Sequence, residues 1–572
     1  MDIDFTTREG RRVQGQLIQQ ACEQAGYTLE ALAREIECSR ALLYQYVSGV
    51  TLAQPDRLQQ IARRTGKTLA YFYSGIDGAP VTAGERIAIL QTVLAAQAGP
   101  PDLPAALSTC EQLVVLARKD GNVRAEATAR VKQMGLLLQR GEYEHALGCA
   151  EQSLPFFLEH NLTAHQRAAE QNRGHALLVM GRIDEAEASF HQVVAFGDWE
   201  SRWHGLVSLA GVAEHRGEYR RALALLDEAL GLQDMAPQAR AAQTLELYVR
   251  GNMANVQLAC GDIGLAAEEA RRAYDLALEL ANRDQSLEAM LTLGVCLRRQ
   301  GQFAESRDQL EQAARLARLS ADQGRETLAL AELARTLCDA GRFAESRRTA
   351  KTALQQAIAL GSRRGELAAQ LALADEGRQA GRLKEARYHA VQAVELTELV
   401  HQPAARADAL VMLGLTAAAL DQRTEAANTL SQAAELAESL GARVFLVLAQ
   451  AALAILGEPV DGQALLAHAR GINTPPLLWR GLLAAGIRHE SSGDVPAAET
   501  AYREAIEVIG RLRGALRTDP AGDSLLEGPE IQQPYLNLAQ SYYRRRANAE
   551  FDALQAGVDW PPLAAKIREV CP

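Results

Sequence analysis

The segment Gly301-Gln-Phe303-Ala-Glu-Ser306 is the best guide to the architecture, because the chain repeats its pattern about every forty residues. In each copy, a glycine is followed by an apolar residue two positions later and by a small residue five positions later. The copies begin at Gly141, Gly181, Gly217, Gly261, Gly301, Gly341 and Gly381. A fixed period of this length predicts an array of stacked units, because each unit buries its apolar face only against its neighbours.

Small residues at fixed distances from these glycines predict that each unit is a helix hairpin. Alanine or glycine stands seven positions before the glycine, as at Gly294, and alanine stands twelve positions after it, as at Ala313. Two helices approach closely only where the facing side chains are small. The glycine supplies the left-handed conformation that ends the first helix. The array is predicted over residues 101–510, with degenerate copies at Pro101, Asp421 and Gly493.

This pattern resembles the tetratricopeptide repeat, with helices longer than that family's usual unit. The resemblance implies a right-handed α-solenoid, here of about 9–11 helix hairpins. Pro459 and the pair Pro475-Pro476 predict a bend or a lost helix near residues 457–476. After a loop that begins at residue 511, we expect a final helix from Pro534 to Glu550 to cap the array.

Composition agrees with an all-α protein and bounds its chemistry. The chain is 48% hydrophobic but only 5% aromatic, which is typical of helices packed through alanine and leucine. Its eight cysteines occur singly, without a Cys-X-X-Cys pair, which predicts reduced thiols and neither a metal nor a cofactor. The sequence has no apolar run long enough for a membrane span and no secretory signal pattern. We therefore expect a cytoplasmic protein without a membrane partner.

An enzymatic function has little support in the sequence. Gly66-Lys67-Thr68 is similar to the end of a phosphate-binding loop, but Ile61 stands where that loop requires its first glycine. No Ser/His/Asp or Cys/His grouping and no framed pair of carboxylates was found. We predict that the chain has no catalytic residues and is not an enzyme.

The first 75 residues have a different pattern, that of a five-helix head. Thr28 and Ser39 are residues that cap helix N-termini, and only a short turn separates the two helices they begin. Two short helices joined by a tight turn are typical of a helix-turn-helix. The predicted helices run over Gln14–Ala25, from Thr28 to Ile36, from Ser39 to Gly49, from Pro55 to Arg64 and over Leu69–Tyr73.

Three segments carry a resemblance to a known family. The segments Tyr27-Thr-Leu-Glu-Ala-Leu-Ala33, Cys38-Ser-Arg-Ala-Leu-Leu-Tyr-Gln-Tyr46 and Leu58-Gln-Gln-Ile-Ala62 resemble the Cro/phage-repressor (XRE-type) DNA-binding domain. The family often holds an internal ion pair where this chain has Cys22 and Val47, both apolar, so neither charge is left unpaired. Leu29 replaces a residue that is usually polar and contacts phosphate.

The resemblance implies that the third helix reads the DNA. It would present Ser39, Arg40, Ala41, Tyr44 and Gln45 outward, and Arg and Gln suit guanine and adenine edges. Phosphate contacts are expected from Arg12, Thr28 and Arg57. The alternative interpretation is a solvated helical face in a protein-binding module.

Charge divides the chain unevenly. The first 75 residues carry nine basic and eight acidic side chains, and the remainder carries 51 and 63. Repulsion between the acidic array and DNA phosphates would confine contact to the head. Because one weakly charged head binds few phosphates, we predict a homodimer on an inverted-repeat operator in double-stranded DNA.

The tetratricopeptide resemblance also implies a ligand groove lined by the first helix of each hairpin. Asparagine both donates to and accepts from a peptide backbone. Arg298, Arg299 and Arg335 are the arginines expected to bind a carboxylate or an acidic side chain. The candidate ligand-binding residues are Asn172, His175, Tyr248, Asn252, Asn255, Arg298 and Arg335. For each of these residues, ordinary solvated polarity is the alternative.

Together, the two parts resemble the bacterial peptide-pheromone-sensing transcriptional regulators. The resemblance implies a sequence-specific DNA-binding regulator whose array senses a peptide or protein ligand and tunes the dimer of heads. The alternative is an interaction scaffold or adaptor with a degenerate head that does not bind DNA. The predicted organisation is a head at 1–75, a linker with the first array helix at 76–100, the array at 101–510, and a loop with capping helices at 511–572.

Overall fold

The computed structural model describes residues 8–36, 38–53, 55–67, 71–74, 83–96, 103–320, 322–400, 402–515, 529–558 and 560–571. In these residues the regular structure is α-helical, apart from one 3₁₀ turn at Gln233–Met235. None of the described helices is long and apolar enough to cross a bilayer. The chain forms two compact units, Met1–Val193 and Val194–Pro572. The predicted boundary at residue 75 falls inside the first unit, and the predicted domain organisation stays a prediction.

The first unit holds the head and the first hairpins. Its helices are α1 (Arg8–Gln24), α2 (Leu29–Glu35), α3 (Arg40–Val47), α4 (Pro55–Thr65), α5 (Tyr71–Ser74), α6 (Ala83–Ala96), α7 (Leu103–Asp120), α8 (Val123–Arg140), α9 (Tyr143–Glu159), α10 (Thr163–Val179) and α11 (Ile183–Ala195), the last of which ends just beyond the unit.

The second unit continues the same alternation of helices. Its helices are α12 (Trp199–His215), α13 (Tyr219–Leu230), α14 (Ala239–Cys260), α15 (Ile263–Glu279), α16 (Arg283–Arg299), α17 (Phe303–Leu319), α18 (Gln323–Asp339), α19 (Phe343–Leu360), α20 (Arg363–Gln379), α21 (Leu383–Val400), α22 (Pro403–Ala419), α23 (Arg423–Leu440), α24 (Arg443–Leu456), α25 (Gly462–Ile472), α26 (Pro475–Ser491), α27 (Val495–Ala515), α28 (Pro529–Arg544), α29 (Asn548–Gly557) and α30 (Pro561–Val570).

The turn inside each hairpin has the predicted left-handed geometry. The φ angle is 80° at Gly301 and 76° at Gly381, values that favour glycine because it has no Cβ. Asp421 occupies the same place in a degenerate copy, with φ of 60°. Its side chain belongs to the short polar type that tolerates this conformation. The repeat therefore continues through Asp421, as its pattern predicts.

The close approach predicted between paired helices is present. A Cβ atom added to Gly294 on α16 would lie 2.6 Å from Cγ of Leu310 on α17. The Ser306 hydroxyl donates a 2.7 Å hydrogen bond to the Gly294 carbonyl oxygen, and Ser346 does the same to Ala334. Small side chains at these positions therefore let the backbones meet, and serine adds a bond that alanine would lack.

Late repeats of the second unit pack against its early ones. Arg443 at the start of α24 donates a 3.0 Å hydrogen bond to the Cys260 carbonyl and forms an ion pair with Asp262. The side chain of Leu512 on α27 packs against the turn at Gly301. In the same unit, the run from Gln370 to Arg378 on α20 is buried, charged residues included.

The C-terminal helices differ from the prediction. No helix is lost near residue 460, because α25 forms there as a short helix capped by Asp461. The helix predicted from Pro534 to Glu550 begins at Pro529 and ends at Arg544, so Pro534 lies inside α28. Glu530 in its first turn forms ion pairs with Arg378 and Arg480, which fix this earlier start. The loop predicted over 511–533 is wrong at both ends, because α27 continues to Ala515 and α28 begins at Pro529. Residues 516–528 lie outside the described residues.

Candidate functional site

The head contains two helices joined by a tight turn, each with a side-chain cap. The Thr28 hydroxyl accepts a 3.2 Å hydrogen bond from the Ala31 N–H at the start of α2. The Ser39 hydroxyl accepts an equivalent 3.2 Å bond from the Leu42 N–H at the start of α3. Each cap satisfies one of the amide groups that a helix N-terminus leaves unpaired. The two predicted caps are therefore present, and Glu37 of the turn lies outside the described residues.

An apolar core fixes the orientation of α3. Leu43 and Tyr46 are buried among residues of the other head helices, including Ile18, Leu32 and Ile61. Cys22 belongs to the same core, and half-buried Val47 packs against it. Both positions that depart from the family's ion pair therefore contribute to apolar packing in the head. Because Leu43 and Tyr46 point inward, the opposite side of α3 faces solvent.

That solvent face carries the residues predicted to read bases. Ser39, Arg40, Ala41, Tyr44 and Gln45 are all exposed. The side chain of Arg40 is 67% exposed, and Tyr44 is 43% exposed although it is aromatic. Arg40 and Gln45 can each form bidentate hydrogen bonds with a base edge in a groove, and Ala41 offers a methyl group.

Arg40 is already engaged within the head. Its Nη2 atom lies 2.7 Å from Oε1 of Glu30 on α2. The Tyr44 hydroxyl donates a 3.4 Å hydrogen bond to the same Glu30 oxygen, and the Arg40 guanidinium lies 5.5 Å from the Tyr44 ring centroid. The hydrogen bond with Tyr44 and the charge of Glu30 raise the pKa of Arg40 above its ordinary value. Sequence reasoning missed Glu30, although an acid at the start of α2 and a base at the start of α3 was a usable signal.

The three residues predicted to contact phosphate differ in their surroundings. Arg12 is exposed, and its backbone packs against Gly49, where an added Cβ would lie 2.7 Å from the Arg12 nitrogen. Thr28 is exposed but its hydroxyl caps α2. Arg57 is half-buried and donates a 2.6 Å hydrogen bond to the Ile36 carbonyl. Arg57 thus holds the turn after α2, a role that the sequence did not suggest.

The predicted ligand-binding residues do not form one site. In the first unit, Asn172 lines a cavity of about 410 Å³ together with Thr128, Lys132 and His165. His175 is exposed and lies outside that lining, with its ring edge toward Phe190 at 5.4 Å between centroids.

In the second unit, Tyr248, Asn252 and Asn255 line a small cavity of about 150 Å³. The Asn252 amide donates a 2.7 Å hydrogen bond to the Tyr248 carbonyl, one turn earlier in its own helix. The Asn255 amide oxygen accepts a 2.8 Å bond from the Thr292 hydroxyl. Part of the hydrogen-bonding capacity predicted for a ligand is therefore used between α14 and α16 or within α14.

Arg298 and Arg335 are buried and paired with carboxylates of the array. Arg298 is 4% exposed and donates a 3.0 Å hydrogen bond to Asp339. Arg335 donates to Asp408 at 2.7 Å, and both side chains are 8% exposed. Burial acts to raise the pKa of Asp408, but the charge and hydrogen bonds of Arg335 outweigh it and hold that pKa below its ordinary value. The prediction that Arg335 is exposed in a groove is wrong, because its side chain is buried and paired with Asp408 of α22.

A cavity of about 280 Å³, here named the central cavity, adjoins these pairs. Its apolar lining includes Leu258, Val295, Pro403 and Phe445. Its charged lining consists of Glu214, His215, Arg298, Arg299, Glu332, Arg335, Arg364 and Asp408. All five predicted ligand residues of the second unit border this cavity or the smaller one, and Asn255 lines both.

Two further charged residues of the central cavity are Arg299, which the sequence suggested as a carboxylate-binding residue, and Glu214, which was not predicted. The Arg299 guanidinium carbon lies 5.5 Å from the Phe445 ring centroid, and burial, with the charges of Arg298 and Arg335, lowers the pKa of Arg299 to about 10. Burial raises the pKa of Glu214 above its ordinary value. Among the described residues, neither side chain forms an ion pair.

The described cysteines are free thiols, and several are deeply buried. Burial raises the pKa of Cys22 to about 11 and that of Cys296 to about 12. These thiols stay protonated near neutral pH, so they are not activated nucleophiles. Among the described residues, no group of three His, Cys, Asp or Glu side chains is placed to hold a metal ion.

Comparison with known proteins gives one domain match and several distant structural likenesses. The sequence matches no curated protein in full-length comparison. Three solved structures with 14% identity are a Rap protein complexed with Competence and Sporulation Factor, Bacillus thuringiensis PlcR in complex with the peptide PapR7 and DNA, and the APC/C hetero-tetramer Cut9-Hcn1. In the same order, the matches cover 61%, 55% and 85% of this chain and 99%, 98% and 95% of the other, with TM-scores of 0.47, 0.32 and 0.44.

Because these TM-scores are below 0.5 at 14% identity, the likenesses are no evidence of what this chain binds. The domain match is more informative, because residues 18–72 fit the family model described as helix-turn-helix. That range includes the capped helices α2 and α3 and the core that turns the exposed face of α3 outward. The N-terminal part of the chain is a helix-turn-helix domain of the XRE type.

Proposed function

We propose that the protein is a sequence-specific DNA-binding transcriptional regulator whose repeat array binds a peptide or protein ligand. The observation that carries the proposal is the face of α3, where Arg40, Ala41 and Gln45 are exposed on a helix anchored by Leu43 and Tyr46. A helix of this kind reads base edges when it enters the major groove. No cofactor is part of the proposal.

The proposal includes a homodimer on an inverted repeat. One head offers few cations for phosphates, because Arg57 is engaged with the Ile36 carbonyl and Arg40 with Glu30. Two linked heads raise the effective concentration of the second contact once the first has formed. Analytical ultracentrifugation of the full chain, with and without operator DNA, tests this part. A monomer under both conditions contradicts it.

The ligand-sensing part rests on the central cavity and its charged lining. A ligand that binds one arrangement of the array better than another shifts the spacing of two heads and so their fit to two half-sites. Reciprocity follows, since the operator must then change ligand affinity by the same factor.

The alternative function is an interaction scaffold whose head does not bind DNA. The engagement of Arg40 by Glu30 and the nearly balanced charge of the head favour it. Recovery of cross-linked DNA from cells separates the two functions. A regulator yields discrete sites that disappear in Arg40→Ala and Gln45→Ala but persist in Arg63→Ala, an exposed head arginine outside α3. A scaffold yields no discrete sites with any of the four proteins.

A further inference from the structure

The central cavity contains charged groups of two kinds. Arg335 and Asp408 form a complete pair, as do Arg298 and Asp339. Arg299 borders the same cavity, next to Arg298 and Arg335, but among the described residues it has no carboxylate of its own. Burying a cation away from water without an ionic partner costs free energy. Carboxylates offset this cost for Arg298 and Arg335 but not for Arg299.

Glu214 on α12 is the acidic counterpart of Arg299 in the same cavity. It borders the cavity beside His215 and Arg364, yet it forms no ion pair among the described residues. The charges that act on Glu214 are those of His215 and Arg364, and that of Arg299 is not among them. The unpaired carboxyl group and the unpaired guanidinium group therefore lie at separate places in the lining.

Most of the uncharged lining is apolar, and its polar members are Tyr219, Asn255 and Gln402. Leu258, Val295, Val444 and Phe445 contribute aliphatic and aromatic surface, and Pro403 adds to it at the start of α22. A cavity of about 280 Å³ is near the lower end of the range that holds small ligands. The lining thus offers one small molecule a cationic group on Arg299, an apolar surface and an anionic group on Glu214.

We propose that the central cavity binds a short apolar peptide by its two free ends, with Arg299 holding the terminal carboxylate and Glu214 the terminal ammonium group. This inference rests on the proposed function, because it names the chemistry of the ligand that the array binds. The paired residues Arg335 and Asp408 then shape the cavity rather than contact the ligand's charges. The sequence suggested Arg298, Arg299 and Arg335 for binding a carboxylate, but Arg298 and Arg335 are already neutralised by Asp339 and Asp408.

Pairing explains why free ends are required. The ligand carboxylate gives Arg299 the fork-shaped partner that its guanidinium lacks, and such charge-assisted hydrogen bonds are about twice as strong as neutral ones. The ligand ammonium likewise stabilises the ionised form of Glu214, whose pKa then falls. A blocked peptide of the same shape would leave a desolvated charge unpaired, so it should bind much more weakly.

The experiment uses the full-length protein and pooled tripeptides of Ala, Val and Leu in three forms. One pool has free ends, one is C-terminally amidated, and one is N-acetylated. Native mass spectrometry measures the peptide retained by wild type, Arg299→Gln, Glu214→Gln and the control Arg271→Gln, which changes an exposed arginine of α15 outside the cavity. Circular dichroism verifies that each variant is folded.

For wild type and Arg271→Gln, we expect each block to lower retention about tenfold. Arg299→Gln should bind free and amidated peptides equally, yet still reject acetylated ones. Glu214→Gln should bind free and acetylated peptides equally, yet still reject amidated ones. This crossed loss of discrimination is a signature that a purely structural role of either residue does not produce.

Three results overturn the inference. These are equal retention of blocked and free peptides by wild type, an unchanged preference in both cavity variants, and retention of no peptide in any form. None of them bears on DNA binding, which is measured with the head variants and no peptide. Failure of the inference and failure of the regulator proposal are therefore distinguishable.

Discussion

An arginine of the head was predicted to bind DNA and an arginine of the second unit's array was predicted to bind a ligand, but the first is exposed and the second is buried. Arg40 on α3 is 67% exposed, and its partner Glu30 is also accessible to water. Arg335 on α18 is buried together with its partner Asp408. An exposed ion pair exchanges its partner readily, whereas a buried pair does not. The difference indicates that contacts with a large partner belong to the head surface and that charges inside the array are mostly structural.

The two regions also differ in what determines exposure. In the head, a short-range pattern places Leu43 and Tyr46 inward and therefore Arg40 and Gln45 outward. In the array, whether a residue is covered depends on repeats that are distant in sequence. Arg335 and Asp408, for example, are 73 residues apart.

The largest expected effect breaks the buried pair. Arg335→Met leaves Asp408 desolvated without its partner, which should lower the free energy of unfolding by about 3–5 kcal/mol. Denaturant unfolding, followed by circular dichroism, measures this. The double variant Arg335→Met with Asp408→Leu should recover most of the loss, because no charge is then left alone. If the single variant is as stable as wild type, the buried pair has no structural role.

A change on the exposed face of α3 should affect DNA binding but not stability. Arg40→Ala removes a bidentate donor for a guanine edge, so operator affinity should fall about tenfold or more. Its unfolding midpoint should match that of wild type. Fluorescence anisotropy at one fixed salt concentration measures affinity, with Arg63→Ala as the charge-matched control. Equal losses of affinity in both variants would mean that Arg40 contributes only its positive charge and does not recognise a base.

The unpaired cavity residues should be destabilising in the absence of ligand. Arg299→Gln removes a desolvated cation, so the ligand-free protein should gain about 1 kcal/mol at pH 7. Glu214→Gln should gain stability as well, with a defined pH dependence. Because the folded state raises the pKa of Glu214, its stability cost appears as pH rises above the ordinary value of 4.5.

Thermal unfolding of Glu214→Gln and wild type between pH 4 and pH 8 tests that dependence. The advantage of the variant should be present at neutral pH and vanish as pH falls below about 4.5, where both states hold a protonated carboxyl. A variant less stable than wild type at pH 7 would mean that Glu214 has a stabilising partner.

The smallest expected effect concerns the partner of Arg40. Glu30→Gln frees the guanidinium and removes a negative charge from the DNA-facing side, so operator affinity should rise a few-fold. Glu35→Gln, which releases Arg64 on α4 instead, is the matched control. Anisotropy titrations compare the two. An unchanged affinity in Glu30→Gln indicates that Arg40 does not exchange partners on binding.

Sequence patterns predicted the local structure well because its causes are local. The turn glycines, the small residue at Gly294 facing Leu310 and the caps at Thr28 and Ser39 each depend on a few neighbouring residues. The start of α28 was misplaced because Pro534 reads as a first-turn proline, whereas Glu530 holds an earlier turn.

The cavity could not be read from periodicity in the same way. Glu214 and Arg299 come from separate hairpins, and residues of α22 and α24 line the cavity together with them. Repeat positions indicate which side of a helix faces inward, but not which later helix packs there. Arg299 adjoins Arg298 in sequence, yet only Arg298 has an acidic partner.

Selection from a pool of random DNA duplexes tests the central claim, that the exposed face of α3 reads sequence. The purified full-length protein is incubated with the pool, and retained duplexes are sequenced after successive rounds. We predict an enriched inverted repeat, with one base position in each half-site relaxed in Arg40→Ala. Retained duplexes without any enriched sequence would contradict the claim.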